Sequence, residues 1–349
     1  MVAIECSIDN FVSSESFIRP NCVSGDVVMS TAFDSSTVAE KSANQPVEFL
    51  WLELTNTCNL QCSHCYSDSS PSSGTNDSLT KSDYLNVIRT AADNGCRSIQ
   101  FIGGEPTVNR SLPDFIDEAA RVGFTFIEVF SNLVNVPEAT IEAMARHRSI
   151  MHVATSVYSH DPDTHDRITG KVGSFFATMR NAARFMDLGL PLRAAFVEMD
   201  ANTGHAEQTI AFLKERGIER ISFDKVRNFG RGEQSDDIGM EGLCGQCAGS
   251  TLCVGPDGVV SPCIMSRKWA VGNLHDGDLG SIVSGPELQA RRQEIGLAVS
   301  RTGNPSAPDG EDNVIDISMC NPCAPYAQCG PCPPNTNCPP HNCNPWYGR

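Results

Sequence analysis

The 349-residue sequence predicts an α/β chain built on a parallel sheet, followed by a cysteine-rich segment with little core of its own. Three observations carry this. Short apolar runs rich in β-branched and aromatic residues alternate with segments of helical period. Glycines stand where four of the helical segments end. Sixteen cysteines, about one residue in twenty-two, fall in clusters rather than being scattered.

Strands are expected near 48–54 (EFLWLEL), 97–102 (RSIQFI), 124–130 (FTFIEVF), 150–157 (IMHVATSV), 192–198 (LRAAFVE) and 219–226 (ERISFDKV). Helices are expected near 80–94, 111–122, 137–147, 173–188 and 204–216. Thr80, Ser111, Pro137 and Gly173 stand at or near helix starts, and Gly95, Gly123, Gly189 and Gly217 follow helix ends. Six strands separated by single helices imply right-handed βαβ units and a parallel sheet. Such sheets gather ligands at the carboxyl ends of their strands.

Three regions follow: a Ser-rich N-terminal extension of unknown role at 1–46, an α/β core at 47–235, and a cysteine-rich region at 236–349. From Cys320 to Arg349 the chain carries eight prolines and almost no apolar periodicity, so crosslinking by metal must replace a hydrophobic core. The 26 basic and 42 acidic residues leave a net charge of −16, which argues against a nucleic-acid partner. No run of about 18 apolar residues predicts a membrane span, and MVAIECSIDNF lacks the layout of a secretory signal. A cytoplasmic protein is expected, in which sixteen cysteines point to metal rather than to disulfides.

The segment TNTCNLQCSHCY follows the first strand and spaces Cys58, Cys62 and Cys65 as C-x3-C-x2-C. Three thiolates can hold three corners of an iron–sulfur cube and leave the fourth iron open to a cofactor. Structural zinc would need a fourth ligand, for which His64 is the nearby candidate. The second strand ends in FIGGEP, giving Gly103, Gly104, Glu105 and Pro106. Paired glycines admit close backbone approach, and the adjacent carboxylate is suited to an ammonium group.

With these two motifs one βα unit apart, the chain resembles radical S-adenosylmethionine (radical SAM) enzymes over about residues 48–232. The resemblance implies a partial (β/α)6 radical SAM barrel with a [4Fe–4S] cluster on Cys58, Cys62 and Cys65. It assigns Gly103, Gly104, Glu105 and Pro106 to the methionine end of S-adenosyl-L-methionine. Ser131 and Asn132 at the third strand's end, and Ser156 at the fourth's, are further cofactor-binding candidates, with polar strand ends as the plainer reading. Residues 226–232 (VRNFGRG) resemble the adenine-side and exit segment of these enzymes. Arg193 faces into the barrel or makes a structural salt bridge, and Asp224 is a catalytic candidate or one half of an ion pair. The implied chemistry is reductive cleavage of the sulfonium, giving a 5′-deoxyadenosyl radical that removes a hydrogen atom from substrate.

The remaining cysteines resemble a SPASM-type extension, which implies an iron–sulfur-stabilised C-terminal domain with two auxiliary [4Fe–4S] clusters, three clusters in all. Gly258-x4-Cys263 and Cys320-x2-Cys323-x5-Cys329 match that pattern, whereas Cys332 follows Cys329 one residue early. The resemblance would give Cys247, Cys253, Cys263 and Cys332 to one cluster and Cys320, Cys323, Cys329 and Cys343 to the other. Cys244 and Cys338 stand as alternates. Cys96 reads as a packed core thiol, and Cys6 and Cys22 have no partner motif. This domain pairing resembles ribosomal-peptide maturases, implying oxidative modification or crosslinking of a precursor peptide. Small-molecule dehydrogenation or decarboxylation, and formylglycine formation on sulfatases, are the alternatives within the superfamily. The partners implied are a precursor peptide and an electron donor such as flavodoxin or ferredoxin; any leader recognition falls to residues 1–46, to a separate leader-binding protein or to the barrel mouth.

Overall fold

The computed structural model describes residues 46–232 and 239–300, so expectations for the N-terminal extension and for every cysteine from Cys320 onward lie outside the described residues. Strands β1 (Phe49–Glu53), β2 (Ser98–Ile102), β3 (Phe126–Phe130), β4 (Met151–Ser156), β5 (Leu192–Glu198) and β6 (Arg220–Lys225) pair in sequence order, all parallel. The helices expected from periodicity appear as α1 (Lys81–Asp93), α2 (Leu112–Arg121), α3 (Glu138–Arg146), α5 (Ser174–Asp187) and α6 (Ala206–Glu215).

Local chemistry explains their boundaries. Thr80 opens α1 with a reciprocal capping box. Its hydroxyl accepts from the Asp83 backbone N–H at 3.3 Å, and the Asp83 carboxylate accepts from the Thr80 N–H at 2.8 Å. An additional helix, α4 (Pro162–Thr169), lies between β4 and α5. Asp161 caps it and Pro162 occupies its first turn, a start signal that its polar sequence PDTHDRIT hides from periodicity.

Alternation along the strands separates two faces. Leu50, Leu52, Ile99, Phe101, Ile127, Val129 and Val153 belong to one apolar cluster with Ile88, Phe115, Ile116 and Met144 from the helices. Phe49, Trp51, Ile102 and Phe126 belong to a second cluster shared with Cys247, Cys253 and Cys263. Both faces of β1 and β2 are buried, as a parallel sheet covered on both sides requires.

The cysteine-rich region extends this sheet. Strand β7 (Thr251–Val254) pairs parallel with β1, and β8 (Val259–Ser261) and β9 (Gly272–Asn273) continue antiparallel. The sheet order is β6-β5-β4-β3-β2-β1-β7-β8-β9, open at both edges among the described residues. Helices α7 (Leu279–Ser284) and α8 (Pro286–Ser300) follow. None of these five elements is expected from periodicity, because β7 to β9 are four residues or fewer and the cysteine spacing dominates the pattern. No helix among the described residues is long and apolar enough to cross a membrane.

A polar ladder crosses the inner face. Gln100, Glu128 and His152 stand in register on β2, β3 and β4. Arg193 on β5 grips Glu128 with two parallel hydrogen bonds of 2.8 Å, and Gln100 donates to the same carboxylate. Of the two roles open to Arg193, the structure shows the ion pair. The buried pair is 12% and 2% exposed, and although burial raises the Glu128 pKa, Arg193 and Gln100 bring it below the usual carboxylate range. Arg193→Met would leave a buried carboxylate without that guanidinium, an expected loss of about 3–5 kcal/mol. The double variant Arg193→Met with Glu128→Gln is expected to lose less, and urea unfolding midpoints of the three proteins check the difference.

Candidate functional site

Strand β1 hands directly to the first cysteine loop. Beyond Glu53, the Leu54 N–H donates to the Ile102 carbonyl at 2.9 Å, keeping the chain beside β2 for one more residue. The Asp77 carboxylate then collects the Thr55 hydroxyl and, at 2.9 Å, the Asn56 N–H. The loop backbone is held from a second side by α4, whose Thr169 and Ile168 carbonyls accept from Gln61 and Ser63 at 3.2 and 2.7 Å. It is held from a third by Arg231. That guanidinium donates to the Cys62 carbonyl at 2.8 Å, the Asp68 carboxylate at 2.8 Å and the Ser69 carbonyl at 2.7 Å.

Cys58, Cys62 and Cys65 line one cavity at the carboxyl ends of the strands. Burial pushes the Cys58 and Cys62 thiols up to about 12, and the neighbouring loop sulfurs add to the rise. Thiolates in this setting need a cation among them. The N–H groups of Leu60 and Ser69 point at the sulfurs of Cys58 and Cys65, each at 3.4 Å, which suits anionic sulfur. Among the described residues no three His, Cys, Asp or Glu donors gather closely enough for a single metal ion. A zinc site draws its donors to about 2.3 Å from one centre, whereas a cube spreads its thiolates over separate irons. Three thiols on one loop, two with N–H groups on their sulfurs, suit a cube held at three corners.

His64 also faces the cavity, edge-on to Tyr158 at 5.1 Å, and its buried Nδ1 has no hydrogen-bond partner. Burial lowers its pKa to about 4, helped by Arg231, so the ring is neutral at pH 7. His165 lines the same wall with its Nδ1 accepting the Tyr158 N–H at 3.3 Å.

The paired glycines serve packing within the protein as well as the cavity. A Cβ at Gly103, whose φ is +128°, would meet the Thr55 carbonyl at 2.6 Å, and one at Gly104 would meet the Thr57 carbonyl at 2.4 Å. Both residues line the cavity. Glu105 and Pro106 are buried and absent from its lining. The expectation that Glu105 reaches an ammonium differs from its observed partners. Its carboxylate accepts from the Thr107 N–H at 3.0 Å, the Thr107 hydroxyl at 2.6 Å, the Ser131 hydroxyl at 2.7 Å and the Asn132 N–H at 2.8 Å. Glu105 and Ser131 thus tie the glycine loop to the end of β3 from behind the wall. Asn132 does face the cavity, and its side-chain amide donates to Asn59 at 2.7 Å and approaches the Cys58 sulfur at 3.8 Å. Ser156 lines the opposite side.

Asp224 also lines the cavity, paired with Arg227 at 3.2 Å. Burial raises its pKa despite that arginine. Val226, Arg227, Phe229, Arg231 and Gly232 complete the lining, so the 226–232 segment both bounds the cavity and clamps the cysteine loop.

The second cysteine group is built on the β7–β8 hairpin, whose turn places Gly258 at φ +81°. Cys253 lies on β7 in register with Trp51, and Cys247 and Cys263 approach each other to 3.1 Å between sulfurs. All three are buried and none of them is in a disulfide. Cys244, expected as an alternate ligand, is buried in the same apolar cluster but is disulfide-bonded, against the expectation that the cysteines serve metal rather than disulfides. Their predicted partners in the third group lie outside the described residues.

Two family models match the chain, the radical SAM superfamily over residues 52–213 and the SPASM iron–sulfur cluster-binding domain over residues 244–324. The chain carries a radical SAM domain followed by a SPASM domain. Similar proteins include the antilisterial bacteriocin subtilosin biosynthesis protein AlbA of Bacillus subtilis, 27% identical over 181 residues, which are 52% of this chain and 40% of AlbA. A probable GTP 3′,8-cyclase of Saccharolobus solfataricus is 26% identical over 199 residues, 56% of this chain and 63% of the relative. The chain spans about half the length of the curated relatives it matches. The fold is that of Streptococcus suis SuiB bound to its precursor peptide SuiA, with a TM-score of 0.59 at 14% identity, covering 77% of this chain and 74% of SuiB. The two domains imply S-adenosylmethionine and iron–sulfur clusters. The thiol loop, its N–H donors and the glycine-walled cavity fit them.

Sequence reading passed over Glu53, Tyr66, Tyr158, His165 and Arg267. Glu53 alone carried a usable signal, a carboxylate inside an otherwise apolar strand, FLWLE.

Two outcomes follow for this site. A hydrogen bond from a charged donor stabilises by about 1.5 kcal/mol, so Arg231→Ala is expected to lose loop iron to a chelator roughly tenfold faster, followed by cluster absorbance. His165 has its pKa lowered from 6.5 to about 4 by burial, so the unfolded chain binds its proton first as pH falls. Stability is therefore lost progressively below pH 6.5, by about 2 kcal/mol at pH 5. His165→Asn is expected to flatten that part of a stability–pH profile.

Proposed function

We propose that this chain is an enzyme that binds S-adenosyl-L-methionine against Gly103, Gly104, Asn132 and Ser156 and oxidatively modifies or crosslinks side chains of a ribosomally made peptide. The observation that carries the reading is the joining of two cysteine groups to one sheet, with the cavity at the end of the strand they share. The bound cofactor, reduced through the cluster on Cys58, Cys62 and Cys65, would supply a 5′-deoxyadenosyl radical for hydrogen abstraction.

The residues of the chain do the rest. Asn132 and Asn59 fix the floor of the cysteine loop beside the cofactor position. Phe130, Tyr158, Val197 and Phe229 give the cavity apolar walls that exclude water from a reactive radical. Asp224, its pKa raised by burial, accepts from the Lys225 N–H at Oδ1 and from Arg227 at Oδ2, and is the candidate to receive or return a proton.

Cys247, Cys253 and Cys263, completed by Cys332, would hold one auxiliary cluster. Cys320, Cys323, Cys329 and Cys343 would hold the other, with Cys338 as an alternate. Fully ligated auxiliary clusters serve electron transfer, which suits removal of two electrons in crosslinking. The peptide assignment draws on the relative that serves subtilosin biosynthesis and on the precursor-bound fold neighbour. Regions 1–46, 47–235 and 236–349 are the proposed extension, core and auxiliary-cluster domain, working in the cytoplasm with a flavodoxin or ferredoxin as donor and a separate leader-binding protein.

The test is anaerobic incubation of reconstituted protein with reductant and S-adenosylmethionine. About 12 Fe per chain is expected for three cubes, with 5′-deoxyadenosine as product. Cys58→Ala is expected to abolish that product while keeping about 8 Fe. Co-expression with a short peptide encoded beside the gene is expected to yield peptide lacking a pair of hydrogen atoms. No 5′-deoxyadenosine from fully loaded protein would overturn the enzymatic reading, and turnover of a small molecule with the peptide unchanged would overturn its peptide part.

A further inference from the structure

Between the cofactor cavity and the second cysteine group runs a line of polar contacts centred on one buried carboxylate. Glu53, the last residue of β1, is 1% exposed. Its Oε1 accepts from the phenol of Tyr66 at 3.1 Å, and Tyr66 lines the cavity immediately after Cys65. Its Oε2 accepts from Arg267 Nη1 at 3.2 Å and faces the sulfur of Cys253 at 3.8 Å. The other arm of the guanidinium donates to Asp257 at 2.9 Å. Arg267 itself follows Cys263 by four residues, and Asp257 stands in the β7–β8 turn. One carboxylate thus touches the cysteine loop through Tyr66, the auxiliary region through Arg267, and a cysteine of that region directly.

The Cys253 contact is formed here by a thiol, which donates its hydrogen to Glu53. As a cluster ligand the same sulfur is a thiolate with nothing to donate. An anionic sulfur would then face a buried carboxylate, and like charges at such a separation repel strongly in low-dielectric surroundings. Such an arrangement needs a fixed cation on the same atoms. Arg267 supplies it, because a guanidinium stays charged when buried and its fork reaches two carboxylates at once.

From this geometry we infer that Glu53 and Arg267, with Tyr66, form a charge-balanced bridge that sets the reduction potential of the auxiliary cluster held by Cys253 and fixes it against the cofactor cavity. The inference rests on the reading of Cys247, Cys253 and Cys263 as ligands of an auxiliary cluster. Glu53 and Arg267 are positioning residues acting through Cys253. Their charges act in opposite senses on an added electron, the carboxylate opposing it and the guanidinium favouring it. Packing alone has no such sign.

The experiment is a potentiometric titration of the full-length reconstituted protein, followed by electron paramagnetic resonance. It compares wild type with Glu53→Gln, Arg267→Gln and Arg267→Lys. Glu53→Gln is expected to move the auxiliary midpoint to more positive potential and Arg267→Gln to more negative potential, with Arg267→Lys restoring most of the wild-type value. The cluster whose spectrum responds to S-adenosylmethionine is expected to titrate as in wild type throughout. Unchanged auxiliary midpoints in both neutral variants at full iron content would overturn the proposal. So would shifts of the same sign in both. If Arg267→Gln loses its auxiliary iron, the isosteric Glu53→Gln decides by the sign of its shift alone. Wild-type protein holding only about 4 Fe would instead remove the auxiliary cluster, and the bridge with it.

Discussion

Strand β1 is the constraint on which the rest of the structure depends. It is five residues long, buried on both faces, and paired in parallel on both edges. Its carboxyl end releases the first cysteine loop, its β2 edge sets the glycine loop beside that loop, and its β7 edge carries the second cysteine group. Parallel pairing fixes register, and a slip of one residue would turn every side chain to the other face. Leu50 and Leu52 on the helix side and Trp51 and Glu53 on the inner side forbid that slip. Apolar burial in one short strand therefore determines the relative placement of two sites whose cysteines lie about 200 residues apart in sequence.

The fold was readable where one physical signal dominated. Six strands and five helices follow from β-branched runs and 3.6-residue periodicity, because each buries one side in a single large core. Helix α4 was not readable that way, since it rests on the cysteine loop through backbone carbonyls rather than through an apolar stripe. The β7–β9 strands were hidden because each is too short to show alternation and they gain stability by joining a sheet made elsewhere.

The candidate site shows the same division. Cys58, Cys62 and Cys65 announce themselves by spacing, and so do Gly103 and Gly104. What spacing does not reveal is which side of a wall a side chain occupies. Glu105 and Ser131 stand behind the cavity and Asn132 in front, although all three were candidates for the same ligand. The distinction comes from the left-handed backbone at Gly103, which turns the chain against Thr55 and carries Glu105 toward the β3 end. Tyr66 and Arg267 were invisible because their roles arise from contacts across the sheet, with no local pattern to mark them.

Net charge takes on a meaning that a count alone lacks. An acidic chain faces a difficulty when its functional centre must also bury thiolates and carboxylates. The arginines beside the cavity answer it. Arg193 meets Glu128 beneath the floor, Arg227 meets Asp224 at the rim, Arg231 gathers carbonyls and Asp68 around the cysteine loop, and Arg267 meets Glu53 and Asp257 toward the second group. All four are under 30% exposed. The lysines paired with Asp114 and Glu198, Lys81 and Lys225, are by contrast at least half exposed. The region proposed to hold anionic sulfur is framed by fixed cations that cannot lose their charge. A local field of this kind stabilises electron-rich centres in the interior without making the chain basic. It is for this reason that net charge, read from composition, says so little about what the cavity is built to hold.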